Sequence, residues 1–313
     1  MPSATAIVLL ILLGINMIYF GHYESSFLVV AGVCIFRLVS WWYFETRAMN
    51  NESPNPVIFV KRSDQQQMME RLASASPMIS TSSRHRIIKS SSNPSLDAIV
   101  TTPKKSQDNS NGKICFVLTH PWAPLGGDMH NNVPVQVSEA LATYGYTTIR
   151  FNFRGVGKSG GCCTWRGHGE RNDLKSVCEW ILSDKGPDDV EKIILIGYSY
   201  GSMISNSCAD MMPEIKAFVS IATPFPCYWG LSLFNCSAFM QWSRVTSKPK
   251  LFLCGDEDDF TGSRNFKKYT KSFPSENKNK SSYLIQGVDH SWYGTETVAA
   301  ALILRFLKEQ KLL

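Results

Sequence analysis

Lys192-Ile-Ile-Leu-Ile-Gly-Tyr-Ser-Tyr-Gly201 is an apolar run that leads without a break into G-x-S-x-G, and the helix-compatible SMISNSCADMM follows from Ser202 to Met212. This order predicts a strand, a sharp turn and a helix. Gly197 and Gly201 lack side chains, so strand and helix can approach closely around a strained turn at Ser199 that lifts the hydroxyl above the sheet edge. G-x-S-x-G in isolation is a weak signal, and its weight comes from lying between strand and helix.

Outward from this stretch, short apolar segments alternate with longer helical ones from His85 to the end of the chain. Arg86 to Lys89 and Asp97 to Thr101 read as a hairpin. Ile114 to Thr119, Thr147 to Asn152, Lys192 to Gly197, Ala217 to Ile221, Leu251 to Cys254 and Ser282 to Gln286 read as strands. The helical stretches are Val133 to Tyr144, Glu170 to Ser183, Ser202 to Met212, Gly262 to Ser272 and Thr295 to Lys311. Such alternation implies an α/β fold with a mostly parallel sheet flanked by helices on both faces. There is no internal repeat.

An unassisted serine is a poor nucleophile; it needs a base and a group that orients the base, here later in the chain in the order Ser, Asp or Glu, His. Leu251-Phe-Leu-Cys-Gly-Asp-Glu-Asp-Asp259 is a strand ending in an acidic loop, and the strand from Ser282 to Gln286 runs into Gly-Val-Asp-His290. Asp258 is the expected acid and His290 the expected base; Asp259 is the nearest rival for the acid, and Asp256 suits the turn. Residues just beyond the carboxyl ends of parallel strands meet on one sheet edge. Acyl transfer also requires donors aimed at the developing oxyanion. The N–H of Tyr200 is one expected donor. The loop His120-Pro-Trp-Ala-Pro-Leu-Gly-Gly127 supplies the other, at Trp122, because Pro121 has no N–H.

No cofactor is expected. His120 and His130 lack a carboxylate or cysteine to complete a usual metal ligand set. GVGKS at Gly155 to Ser159 imitates the end of a phosphate-binding loop, but position 152, where the full motif needs glycine, is Asn152. That segment is expected to be a turn after the preceding strand. Glu170 and Asp173 suit the N-terminal dipole of the next helix.

The blocks THPWAPLGGDMHNNVPVQVSEALATYGYTTIRFNFRGVGKSGG, GHGERNDLKSVCEWI, GYSYGS, LFLCGDEDD and GVDHSWYG resemble the α/β-hydrolase superfamily. They are most similar to the small predicted hydrolases allied to dienelactone hydrolase, with their HPxPxxGGxMxN, RFNFRGVGxSxG and GxGExxD patterns. The resemblance covers about residues 85–313. It implies an α/β-hydrolase fold, a Ser199, Asp258 and His290 triad, and Trp122 and Tyr200 as oxyanion donors. The final histidine of that group usually precedes two aromatics. Here Ser291 and Trp292 follow it, a change expected to fall on the pocket wall.

The N-terminal part lies outside that pattern. Ala6 to Phe20 and Phe27 to Phe44 are apolar runs separated by GHYESS. No Lys or Arg precedes the first run and a second follows at once, which disfavours a cleaved signal peptide. Arg37 would cost at least about 2.5 kcal/mol at mid-bilayer, so two spans and a shallow hairpin both remain open. Trp41, Trp42 and Tyr43 close the second run as an aromatic belt would, and Arg47, Lys61, Arg62 and Arg71 follow on what is then the cytoplasmic side. The expected organisation is a membrane-associated helical hairpin over 1–49, a flexible linker over 50–84 and an α/β-hydrolase domain over 85–313, with the domain facing the cytosol.

Composition agrees with a globular protein. Hydrophobic residues at 44% and charged residues at 19% exclude a wholly disordered, collagenous or coiled-coil chain. The net charge, 32 − 26 = +6, is too small and scattered to argue for nucleic acid. Nine cysteines without a CxxC pair outline no disulfide framework and suit a reducing compartment. The aromatics of Pro224 to Ser247, namely Phe225, Tyr228, Trp229, Phe234, Phe239 and Trp242, suit a lid lining an acyl pocket or a core helix pair equally. The expected function is a membrane-tethered serine hydrolase cleaving a lipid-derived ester or thioester. The alternative is a non-catalytic membrane adaptor on the same scaffold.

Overall fold

The computed structural model describes residues 56–75, 79–89, 94–104, 113–164, 166–224, 243–273 and 279–313. The chain divides into Met1–Glu52 and Ser53–Leu313, and all described residues belong to the second unit. In chain order they form β1 (Ile58–Val60), α1 (Arg62–Ala75), β2 (Thr81–Ile88), β3 (Leu96–Pro103), β4 (Ile114–Thr119), α2 (Asn132–Thr143), β5 (Thr147–Phe151), α3 (His168–Ile181), β6 (Lys192–Tyr198), α4 (Tyr200–Ser207), β7 (Ile215–Ile221), β8 (Lys250–Gly255), α5 (Ser263–Lys271), β9 (Lys280–Ile285) and α6 (Glu296–Glu309).

The strands form one sheet in the order β1-β9-β8-β7-β6-β4-β5-β3-β2. The β2–β3 hairpin joins β5 antiparallel, and the remaining pairs are parallel. Side chains alternate across the sheet as the two-residue period of a strand requires. Ile114, Phe116, Leu118, Ile194 and Ile196 pack with Val133, Val137 and Leu141 of α2 and with Val298, Leu302 and Phe306 of α6. Cys115, Val117, Ile193 and Leu195 join Leu174 and Val177 of α3 and Met203 and Ile204 of α4 on the opposite face. With both faces covered, β4, β6 and β8 are near-continuous apolar runs, as buried parallel strands tend to be. Chain order reverses at β4, which lies between β5 and β6. This switch point brings the loops after β4 and β6 together, with Thr119 in register with Gly197.

The structure corrects the flexible linker expected over 50–84. Ile58, Phe59 and Val60 pair in parallel with Tyr283, Leu284 and Ile285, extending the sheet by a strand. On α1, the buried Gln65 donates to Gln286 O at 2.9 Å. Arg62 packs against Gly287, where an added Cβ would come within 2.3 Å of its Nη2. β2 also begins at Thr81, ahead of the expected domain start. The helix expected from Ser202 to Met212 is shifted: α4 spans Tyr200–Ser207. Ser207 Oγ bonds back to Ile204 O at 2.7 Å, a local bond that competes with continuation of a helix.

The hairpin expected over 1–49 lies outside the described residues, as do the six aromatics between Phe225 and Trp242. Among the described residues no helix is long and apolar enough to cross a membrane.

Candidate active site

Ser199 stands alone between β6 and α4 with φ 52° and ψ −122°, a backbone conformation that non-glycine residues rarely hold. The turn works only with glycine on either side. An added Cβ at Gly197 would lie 2.3 Å from Ser202 Cα, and one at Gly201 would lie 2.6 Å from His120 O. Ser199 N–H donates to Ile221 O at 2.9 Å, and Ser202 Oγ donates to Ser199 O at 2.6 Å. The strained residue is thus held from the β7 side and from its own helix.

The structure brings Ser199, Asp258 and His290 together from the turns and loops that follow β6, β8 and β9, with β7 lying between the first two strands. His290 Nε2 is 3.1 Å from Ser199 Oγ, and His290 Nδ1 is 3.1 Å from each carboxylate oxygen of Asp258. A carboxylate beside Nδ1 keeps the proton there, so Nε2 is left to accept from the serine hydroxyl. The Asp258 side chain is fully buried, and its Oδ1 also accepts the N–H groups of Phe260 at 2.9 Å and Thr261 at 2.8 Å. Of the other acidic residues in its loop, Glu257 and Asp259 are exposed, while Asp256 accepts the Gly287 N–H at 2.6 Å and closes the turn after β9.

Two aromatics not singled out in the sequence set the plane of the imidazole. Tyr198 stacks on it at 5.9 Å and 29°, and Phe260 lies 4.6 Å away at 37°. Tyr198 also donates its hydroxyl to His290 O at 2.9 Å. Burial and the nearby Asp258 push its phenol well above the ordinary range, so it stays a donor. Both adjoin residues the motif already marks, and that adjacency was the available signal.

The loop after β4 folds over this edge. Trp122 O accepts from Leu125 N at 3.0 Å and from Gly127 N at 3.1 Å, and an added Cβ at Gly127 would sit 2.2 Å from Pro121 O. Tyr200 is the first residue of α4, and N–H groups of a first turn have no acceptor within the helix. Trp122 and Tyr200, the residue that follows Ser199, border the same cleft. His120, under the loop, has both ring nitrogens engaged: Nδ1 donates to Pro121 O at 2.7 Å, and Nε2 accepts the Phe153 N–H at 3.1 Å. Burial lowers its pKa to about 4, so it is neutral. His130 is exposed.

Asn152 occupies the position that the phosphate-loop motif reserves for glycine, and it is buried. Its Oδ1 accepts the Met129 N–H at 2.8 Å, tying the loop after β4 to the end of β5. Glu170 and Asp173 do more than favour a helix dipole. Asp173, fully buried, accepts the Arg154 N–H at 2.9 Å and its Nη2 at 2.7 Å. Glu170 accepts from the backbone N–H of Thr164 at 2.7 Å and from its hydroxyl. These two carboxylates pin the loop from Arg154 to Thr164. Trp292, expected on the pocket wall, is wholly buried among α2 and α6 residues.

A family model described as X-Pro dipeptidyl-peptidase (S15 family) matches residues 50–297. The uncharacterized protein RP471 of Rickettsia prowazekii (strain Madrid E) is 30% identical over 195 residues, which are 61% of this chain and 77% of that protein. A solved structure from Xanthomonas campestris, described as a serine hydrolase without lid, superposes with a TM-score of 0.60 at 24% identity, covering 75% of this chain and 98% of the other. A serine hydrolase homologue from Coxiella burnetii superposes with a TM-score of 0.56 at 28% identity, covering 72% and 97%.

Proposed function

The chain belongs to the X-Pro dipeptidyl-peptidase (S15) family and is an α/β hydrolase of the serine-hydrolase kind; from that premise we propose that it cleaves an ester or thioester through an acyl-enzyme on Ser199. The observation that carries the proposal is the unbroken relay from Ser199 Oγ to His290 Nε2 at 3.1 Å and from His290 Nδ1 to Asp258 at 3.1 Å. Oγ attacks the substrate carbonyl carbon as its proton passes to Nε2, and the carbonyl π electrons move onto oxygen. The N–H groups of Tyr200 and Trp122 receive that oxyanion, each worth about 3 kcal/mol to the transition state. Collapse breaks the C–O or C–S bond, the leaving atom takes the proton from Nε2, and water repeats the cycle on the acyl-enzyme. Asp258, hydrogen-bonded to Nδ1, orients the ring and stabilises the imidazolium.

The apolar runs at 6–20 and 27–44 tether the enzyme to a membrane with the catalytic unit facing the cytosol, and its substrate is lipid-derived. The aromatic cluster at Trp41 to Tyr43 and the basic residues after it support that orientation. The peptidase activity in the family description is that of the proteins it was written for.

Labelling of the full chain by a fluorophosphonate, beside Ser199→Ala, tests the chemistry. The expected result is labelling that requires Ser199, with ester or thioester turnover exceeding that of Xaa-Pro peptides. Faster peptide cleavage would overturn the ester assignment, and absence of labelling would favour the adaptor. Membrane sedimentation that persists after deletion of residues 1–49 would overturn the tether.

A further inference from the structure

At Tyr200, the residue that follows Ser199, lies a slot of about 130 Å³, bordered also by Trp122, Pro124, Phe153, Val156 and Cys163 among others. We propose that this slot receives the acyl group of the substrate, that it fits a short or single-ring acyl group, and that Val156 and Cys163 set its size. The inference rests on the serine-hydrolase function proposed above and deepens it.

Position decides which half of the substrate enters. The slot is bordered by both residues assigned to the oxyanion hole and by neither His290 nor Phe260. A leaving group must lie against His290 Nε2 to take its proton. The carbonyl carbon carries its two substituents on opposite sides of the oxyanion, so the substituent directed away from the imidazole, the acyl group, points into the slot. Any long chain in the substrate then belongs to the alcohol or thiol side.

Size follows from volume. An enclosed apolar protein cavity of about 150 Å³ holds one benzene; this slot is slightly smaller and opens to solvent, so a short or single-ring acyl group fills it and the rest of a longer chain lies outside. One wall is rigid: Phe153 meets Phe151 edge-on at 5.2 Å and Tyr200 at 6.5 Å, and lies against His120 at 4.8 Å. The charged groups at its border are committed elsewhere, since Arg154 is paired with Asp173 and Glu170 accepts from Thr164. An acyl group is therefore recognised by shape and apolar contact, without a counter-ion. The other wall is the loop from Arg154 to Thr164, where Val156 is half-buried and Cys163 exposed. Its backbone is held by Gly155 N–H donating to Gly160 O at 3.0 Å, so side-chain volume at Val156 and Cys163 is what varies.

The test is kcat/KM of the full chain for p-nitrophenyl acetate, butyrate, benzoate, octanoate and dodecanoate, with fluorophosphonate labelling in parallel. Butyrate or benzoate is expected to be best, with at least a tenfold fall by dodecanoate. Val156→Phe and Cys163→Trp, made separately so that one misfolded variant does not end the test, are each expected to lower the benzoate-to-acetate ratio at least tenfold. A protein that labels at Ser199 yet shows a flat acyl profile, or variants that leave that ratio unchanged, would overturn the slot alone. A protein that takes no label overturns the hydrolase proposal and the slot with it.

Discussion

Replacing Asp258 by asparagine separates its catalytic work from its structural work. In the wild type, Oδ1 accepts the N–H groups of Phe260 at 2.9 Å and Thr261 at 2.8 Å, while both oxygens face His290 Nδ1 at 3.1 Å. An asparagine that keeps its oxygen on the two backbone donors must present its NH2 to Nδ1. The imidazole proton then moves to Nε2, which can no longer accept from Ser199. The expected loss in kcat is about 10⁴-fold, or ~5 kcal/mol of barrier, with the urea midpoint nearly unchanged. Asp258→Ala removes the acceptor altogether and strands two N–H groups, one of them on a buried residue, at about 1–3 kcal/mol for each that is fully desolvated, so it should lose activity and stability together. Ester turnover and urea unfolding of both variants, with Asp259→Asn as the exposed control, make the comparison. An Asp258→Asn enzyme retaining more than a tenth of its activity, or an Asp259→Asn enzyme equally damaged, would refute the assignment.

Ser199→Gly and Ser199→Ala both remove the nucleophile, but only glycine relieves the positive φ of 52°, so the glycine variant should be about 1 kcal/mol more stable by urea unfolding; equal stability would contradict strain at the turn. Arg154→Met leaves the fully buried Asp173 carboxylate without its cation and should cost about 3–5 kcal/mol, read as a fall in melting temperature; a shift within error would show the pair to be dispensable. Burial holds the His120 pKa at about 4, below its ordinary 6.5, so the unfolded chain takes up a proton in that interval that the folded chain refuses. Stability present above pH 6.5 should fall as pH drops towards 4, by up to about 3 kcal/mol, and His120→Gln should flatten that part of the pH dependence of the urea midpoint.

Much of the architecture was legible because it is written locally. Six segments between Ile114 and Gln286 read as strands, and each overlaps one of β4 to β9; the signal is strongest in β4, β6 and β8, because a strand covered on both faces reads as a near-continuous apolar run. What escaped was non-local or polar. β1 is three residues long and pairs with β9 more than two hundred positions away, and α1 is fastened through Gln65 rather than an apolar stripe, so neither carried a periodic signal. Asn152 looked like a failed glycine, whereas its side chain holds the Met129 N–H from a loop over twenty residues earlier.

From residue order alone come the turn at Ser199, which the spacing of Gly197 and Gly201 encodes, and the placement of acid and base after later strands. Tertiary structure decides which of the acidic residues after β8 faces His290. Asp256, Asp258 and Asp259 are chemically the same side chain, and only Asp258 is buried against the imidazole. The flanking of the ring by Tyr198 and Phe260, and a slot between loops that follow β4 and β5, likewise exist only once the sheet has formed. A strand-turn-helix motif depends on neighbours in sequence, whereas the orientation of a side chain across a cleft depends on which strands lie side by side.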